Sequence, residues 1–258
     1  MSLSSSRPVS PHYIPGLSFN AIRQAVEVNP ALILPTGCCE PFGSNVPIGA
    51  SLAVVNSIAH RLSLRANTLL ADTFTYGMAI AYQAFPGCAG LKADCLENAL
   101  SQIIGCWIYQ GMRRIILIDG SVLQTGVIQA VRKRIAARYE SVDLLLLNWQ
   151  QHPAILKRIS QQIKAKEAWR QEWAMLSIYM HLTGSAFENS REARPSGEHM
   201  KSWQRRGKDP AGLRKIMPHG LSGSVAVSYD ASFGKALFEY ILHVFAAETE
   251  HFFQGKHA

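Results

Sequence analysis

Apolar positions along the chain change their period several times, and each change marks an element. Ala31 to Pro35 (ALILP) is an unbroken apolar run of strand length. Leu52, Val55, Ile58, Ala59 and Leu62 then recur at the spacing of one helical face. A second strand is expected over Asn67 to Asp72 (NTLLAD), followed by a long loop, TFTYGMAIAYQAFPGCAGL. Leu96, Ala99, Leu100, Ile103, Ile104 and Trp107 return to helical spacing, and Gly111 suits the C-terminal stop. RRIILID is a continuous apolar strand of the kind found in sheets covered on both faces. Val127, Ile128, Val131 and Ile135 mark a further helix, and VDLLLLNW a further strand. Beyond Trp149, Ile155 to His181 reads as one long helical stretch. Its stripe of Trp169, Trp173, Leu176 and Met180 suits a core or subunit-contact face. Residues 182–218 are polar and rich in turn formers, as a loop or lid would be, and Ser232 to Phe245 is an apolar closing helix.

Strand and helix alternate, which argues for an α/β layered fold with a mostly parallel β-sheet flanked by helices. Ligands of such sheets sit beyond the carboxyl ends of the strands. The loops after Pro35, Asp72, Ile118 and Asn148 are therefore expected to converge on one pocket.

Composition narrows this picture. A chain of 258 residues, 48% hydrophobic and 17% charged, has enough apolar surface for a substantial core. Residues 16–258 are expected to form a single domain behind a flexible arm, 1–15, whose MSLSSSRPVSPHY stretch has no apolar core. No stretch approaches the ~20 apolar residues that span a bilayer, so a soluble protein with no membrane partner is expected. The net charge of +8 admits an anionic partner. The basic residues are nevertheless scattered and lack interleaved aromatics, so nucleic acid is not expected. Five cysteines, an odd number, suit reduced thiols in a cytoplasm.

One segment changes the picture most. LPTGCCEPFGSNVPIGAS, Leu34 to Ser51, is built like an active-site loop, yet its only ionisable groups are Glu40, Cys38 and Cys39. The order of this loop, then YGMAIAYQAFPGCAGL, then GMRRIILIDGSVLQ resembles the creatininase family of creatinine amidohydrolases. That family carries a Gly-x-x-Glu-Gln-His-Gly-x-His-Leu-Pro-x-Gly-x-Asp loop, a Phe-Pro-Gly-Thr segment and an Asn-Gly-His-Gly-Gly-Asn loop. Gly37, Glu40, Gly43, Pro47, Gly49, Phe85, Pro86, Gly87 and Gly120 keep the frame from Ala31 to Trp149. A weaker echo, GLSGSVAVSYDASFGKAL, resembles the family's closing segment.

The resemblance implies a creatininase-like fold, a homo-oligomer, commonly a hexamer, and hydrolysis of an amide-like C–N bond by two divalent ions. Mapped onto those ligand positions, Glu40 is a match. Phe42 and Tyr82 stand for histidines, and a further histidine falls near Asn45. Ser51 stands for the bridging aspartate, Asp119 for the third loop's asparagine, Ser121 for its histidine, and Leu123 for an acidic position. Phe42 cannot coordinate a cation, and neutral hydroxyls bind zinc or manganese weakly. No dinuclear centre and no metal cofactor are therefore expected. The alternative is a single divalent ion such as zinc, held by Glu40, Asp119 and His199, which lies roughly where the family supplies a late histidine.

The expected function is a divergent family member that binds a small-molecule polar ligand at the old pocket, as an amidohydrolase-type enzyme without the two metals. Glu40 and Asp119 are its candidate acid–base pair, since neighbouring carboxylates split their pKa values. Cys88 is a candidate nucleophile, which would need a base to form thiolate. Asn45, Ser51, Tyr82 and Ser121 would donate hydrogen bonds, with Phe42 and His199 as further lining residues. Blander roles are a turn-capping or arginine-paired Glu40, cysteines as small apolar fillers, and structural or surface roles for His60 and His243. The rival class is a pseudoenzyme, an oligomeric binding or scaffolding subunit.

Overall fold

In the computed structural model, residues 11–163, 167–185, 209–218, 220 and 229–255 are described. Its sheet has four parallel strands: β1 (Ala31–Thr36), β2 (Leu69–Leu70), β3 (Arg114–Asp119) and β4 (Asp143–Leu147). Their order is β2-β1-β3-β4. Side chains alternate along each strand. Leu32, Leu34, Ile115 and Leu117 therefore face one layer, while Ile33, Ile116 and Ile118 face the other.

Helices α2 (Ala50–Ala66), α5 (Pro153–Gln162), α6 (Glu167–Thr183) and α8 (Ala231–Phe253) build the layer over Ile33 and Ile116. Helices α3 (Ala93–Tyr109) and α4 (Thr125–Arg138) build the opposite one. The chain thus leaves β1 towards one face and the adjacent β3 towards the other. The point where neighbouring strands part in this way is the place where open α/β sheets bind ligands. Thr36 pairs with Asp119, so both strands end level at that point.

The expected α/β architecture is present, with differences that have local causes. Helix α1 (Phe19–Val28), capped by Ser18 Oγ, was not anticipated: it packs on the core only through the half-buried Ile22, Ala25 and Val26, and Phe19 and Val28 are exposed. The stretch from Ile155 to His181 is not one helix, because Ile163 takes an extended conformation (φ −130°, ψ 122°) between α5 and α6. Inside the supposed loop 182–218 lies α7 (Pro210–Ile216), started by Asp209 and Pro210. The tryptophan stripe serves the core: Trp173 and Leu176 are buried, and Trp173 stacks on Phe233 with centroids 5.0 Å apart. The Trp169 side chain lies outside the described residues. Helices α6 and α8 meet backbone to backbone at Gly234, where an added Cβ would sit 2.0 Å from the Ser177 carbonyl oxygen.

Candidate functional site

The loop after β1 is folded by its own backbone. Glu40 N donates to Ile48 O at 2.9 Å, and Ser51 Oγ, at the start of α2, donates to Cys38 O at 3.1 Å. These bonds turn the Glu40 side chain inward, leaving the residue 6% exposed. From the neighbouring strand, Gly120 N donates to Thr36 O at 2.8 Å. A Cβ on Gly120 would crowd Val55 at 2.8 Å, so only glycine lets the end of β3 approach α2 this closely.

Ser121 joins the two loops. Its Oγ donates to Glu40 Oε1 at 2.8 Å and accepts from Leu123 N at 3.2 Å, while its N donates to Asp119 Oδ1 at 3.1 Å. One residue therefore contacts both candidate carboxylates.

Asp119 is satisfied on every side. Oδ1 accepts from Ser121 N and from Gln124 Nε2 (2.9 Å), and Oδ2 accepts from Thr125 Oγ1 (3.1 Å) and Asn148 Nδ2 (3.0 Å). Gln124 Nε2 also donates to Thr36 Oγ1 at 2.7 Å, and its Oε1 accepts from Met78 N at 3.4 Å. The loops after all four strands are thus tied through one carboxylate and one amide, as the expected convergence required. Asp72 itself stands apart, accepting from the Tyr13 hydroxyl at 2.9 Å.

Burial pushes the Glu40 carboxyl up to about 7, with the Asp119 charge adding and the Ser121 and Ser51 hydroxyls opposing. Burial likewise pushes Asp119 up to about 6, although its donors pull the other way. Cys38 is held far above the ordinary thiol range by burial and by Glu40. Cys88 is pushed up to about 11 by burial, Cys39 and Glu40. The Tyr82 phenol is raised by burial and then by Glu40, Cys38, Glu172 and Cys88. Near neutral pH this leaves thiols and a phenol that keep their protons, beside a carboxyl that exchanges its own.

The structure brings Glu40, Ser51, Asp119 and Ser121 together, with Tyr82 and Cys88 near enough to feel the charge of Glu40. Cys88 packs with Phe85, Leu213 and Met217, and Tyr82 and Ile48 border that cluster. Phe42 leans on the main core, and Asn45 is exposed on the loop tip. His199 lies outside the described residues. Sequence reasoning missed Thr36, Gln124, Thr125 and the buried Glu172 on α6, whose charge reaches Tyr82. Gln124 and Thr125 did leave a signal, an amide and a hydroxyl at a strand-to-helix turn. Among the described residues, no group of three or more His, Cys, Asp or Glu side chains is placed to hold a metal ion. No helix among them is long and apolar enough to cross a membrane.

Comparison with known proteins follows the same lines. A family model described as Creatininase, creatinine amidohydrolase, matches residues 16–248. A curated protein of Thermotoga maritima, 3-dehydro-scyllo-inosose hydrolase, is 23% identical over 138 residues, which are 53% of this chain and 44% of that protein. The match thus spans less than half of that relative's length. Among solved structures, a creatinine amidohydrolase superimposes with a TM-score of 0.69 at 17% identity, covering 92% of this chain and 96% of its own. A manganese creatininase gives 0.71 at 16% identity, covering 93% and 98%. A creatininase variant of Zn–Zn type gives 0.69 at 18% identity over the same shares. At such identities the likeness concerns the fold.

Proposed function

The chain belongs to the creatininase family, and on that premise we propose that it binds a small polar molecule in the crevice between β1 and β3 and hydrolyses an amide-like C–N bond there. The observation that carries this reading is the buried Glu40 carboxyl, pushed up to about 7 and held by Ser121 at 2.8 Å. A group that gains and loses its proton near neutrality serves as both acid and base. As carboxylate, Glu40 takes a proton from water attacking the carbonyl carbon; as acid, it returns that proton to the departing nitrogen. Ser121 fixes the carboxyl's orientation, and Tyr82, whose phenol Glu40 and burial keep protonated, supplies a donor. Asp119 positions the loops, because its four bonds leave it no lone pair for substrate. Cys88 acts as an apolar filler, since every influence on its thiol disfavours thiolate. The description of the Thermotoga maritima relative as a hydrolase supports the reaction class.

Relatives are described with zinc and with manganese. The donors around Glu40 do not fit two such ions. Phe42, Tyr82, Ser51 and Ser121 stand at the family's ligand positions, and the oxygens of Asp119 are occupied. The mechanism above takes no step through a metal. A single ion remains the alternative, and metal analysis decides it. A homo-oligomer, a hexamer by family resemblance, is part of the proposal.

A second reading is favoured by one observation. Phe42 packs an aromatic ring against the core on the very loop that carries Glu40, which suits a pseudoenzyme that binds without turnover. The test is to offer chelator-treated protein a panel of cyclic amides and ureas. Hydrolysis that disappears in a folded Glu40→Gln variant supports the enzyme. Binding without hydrolysis supports the pseudoenzyme, and neither binding nor hydrolysis overturns both.

A further inference from the structure

Helices α5 and α6 are separated by the extended Ile163, and a pocket of about 220 Å³ lies between them. Leu156, Lys157, Ile159 and Ser160 of α5 form one wall, and Arg170 of α6 forms the other. The walls are anchored. Ile155 and Ile159 seat α5 in the core, and Gln171 Nε2 donates to Gln150 O at 2.7 Å, tying the start of α6 to the turn ahead of α5. Arg170 precedes Gln171, so it is held beside α5.

Arg170 is half-buried, and its buried Nε has no hydrogen-bond partner. Among the described residues, neither Arg170 nor Lys157 belongs to an ion pair, and no carboxylate lines the pocket. A charged N–H taken out of water is costly unless it meets an acceptor. The walls offer no negative group: Leu156 and Ile159 are apolar, and Ser160 Oγ spends its proton on Lys157 O at 2.7 Å. Arg158 turns instead over the Tyr240 ring, 4.9 Å from its centroid. The pocket's charge therefore comes from Lys157 and Arg170. The local sequence has the same bias, since Lys157, Arg158, Lys164, Lys166 and Arg170 stand against one acid, Glu167.

A guanidinium presents its N–H groups in a planar fork that matches two oxygens of a phosphate, and a lysine adds a point charge. Two such cations match the nearly double negative charge of a phosphate at neutral pH better than the single charge of a carboxylate. We propose that the α5–α6 pocket binds phosphate, free or as the head of a small phosphomonoester, with Arg170 and Lys157 as its donors. This site stands independently of the reading of Glu40.

The test is calorimetric titration of the full chain with inorganic phosphate and with phenyl phosphate, at an ionic strength held constant with chloride so that general screening does not change. Arg170→Gln and Lys157→Gln are compared with the natural sequence, and Arg132→Gln, on the exposed outer side of α4, is the control. The proposal expects saturable binding at a single site per chain, weakened roughly tenfold or more in a folded Arg170→Gln and roughly threefold in Lys157→Gln, but not in the control. Lys157 is exposed, so its variant decides the matter should Arg170→Gln not fold. Tighter binding of phenyl phosphate identifies an esterified ligand, and equal binding identifies the free ion. No saturable binding of either probe overturns the proposal. So does binding that Lys157→Gln, or a folded Arg170→Gln, weakens no more than Arg132→Gln does, since the charge of the whole surface then attracts the anion.

Discussion

Ser121 Oγ donates to Glu40 Oε1 at 2.8 Å across 81 positions of sequence. The bond forms because β1 and β3 are adjacent and in register, Thr36 opposite Asp119, so that the loops leaving them meet within a few residues of the strand ends. Ser121→Ala removes one of the hydroxyls that hold Glu40 down, so the Glu40 pKa is expected to climb above its value of about 7. The same change leaves a buried carboxyl short of a partner, at a cost of about 1–3 kcal/mol. Carboxyl titration followed by infrared or NMR, with denaturant unfolding, checks both. An unchanged titration would contradict the account of how Glu40 is tuned.

Stability should depend on pH with the sign set by Glu40. Its folded value of about 7 lies above the ordinary 4.5, so between those values the folded chain holds a proton that the unfolded chain has released. Unfolding free energy is then full below the unfolded value, falls as pH rises, and levels off above the folded value. The difference corresponds to roughly 3 kcal/mol for Glu40. Asp119, raised to about 6, acts in the same direction over a lower range. Urea unfolding from pH 4.5 to 8 should show the decline, and Glu40→Gln should flatten it.

Asp119→Asn should behave differently from Glu40→Gln, although both replace an acid by its amide. The four donors on Asp119 would face an amide whose nitrogen is itself a donor, so Asn148 or Thr125 loses its acceptor. A loss of about 2–4 kcal/mol is expected, together with loosening of the loops after β1, β3 and β4. Thermal unfolding and amide exchange of those loops measure this. A variant as stable as the parent would show that Asp119 is not the tie between them.

Gly234→Ala tests the packing that brings α6 beneath the site. A methyl 2.0 Å from the Ser177 carbonyl has only backbone to push against. A cost of about 2–3 kcal/mol is expected from overpacking, read as a drop in melting temperature. Gly126→Ala, at an open position on α4, is the matched control and should cost little.

The sheet and its immediate helices were legible because their apolar faces are fully buried. Ile116, Leu117 and Ile118 are inaccessible on both faces of the sheet, and Ile58, Leu62, Leu100 and Ile104 mark the stripes that cover it. Where burial does not set the pattern, the reading failed. Helix α1 only half-buries Ile22, Ala25 and Val26 and leaves Phe19 and Val28 exposed, and Ile163 continues the apolar rhythm while its backbone turns extended. The site divides similarly. Glu40 and Ser121 were visible because a family pattern indexes them. Thr36, Gln124 and Asn148 were not, because their partners are chosen by strand register, which no local stretch encodes. Glu172 depends on how α6 packs against α8, a tertiary fact.

The claim on which the functional account turns is that the crevice works through Glu40 and not through a pair of divalent ions. Metal content per chain, measured by mass spectrometry on protein assayed in parallel against cyclic amides, tests it most directly. The account predicts metal well below one ion per chain, hydrolysis indifferent to chelator, and none from Glu40→Gln. Two ions per chain, with activity that falls and returns as they are removed and restored, would contradict it.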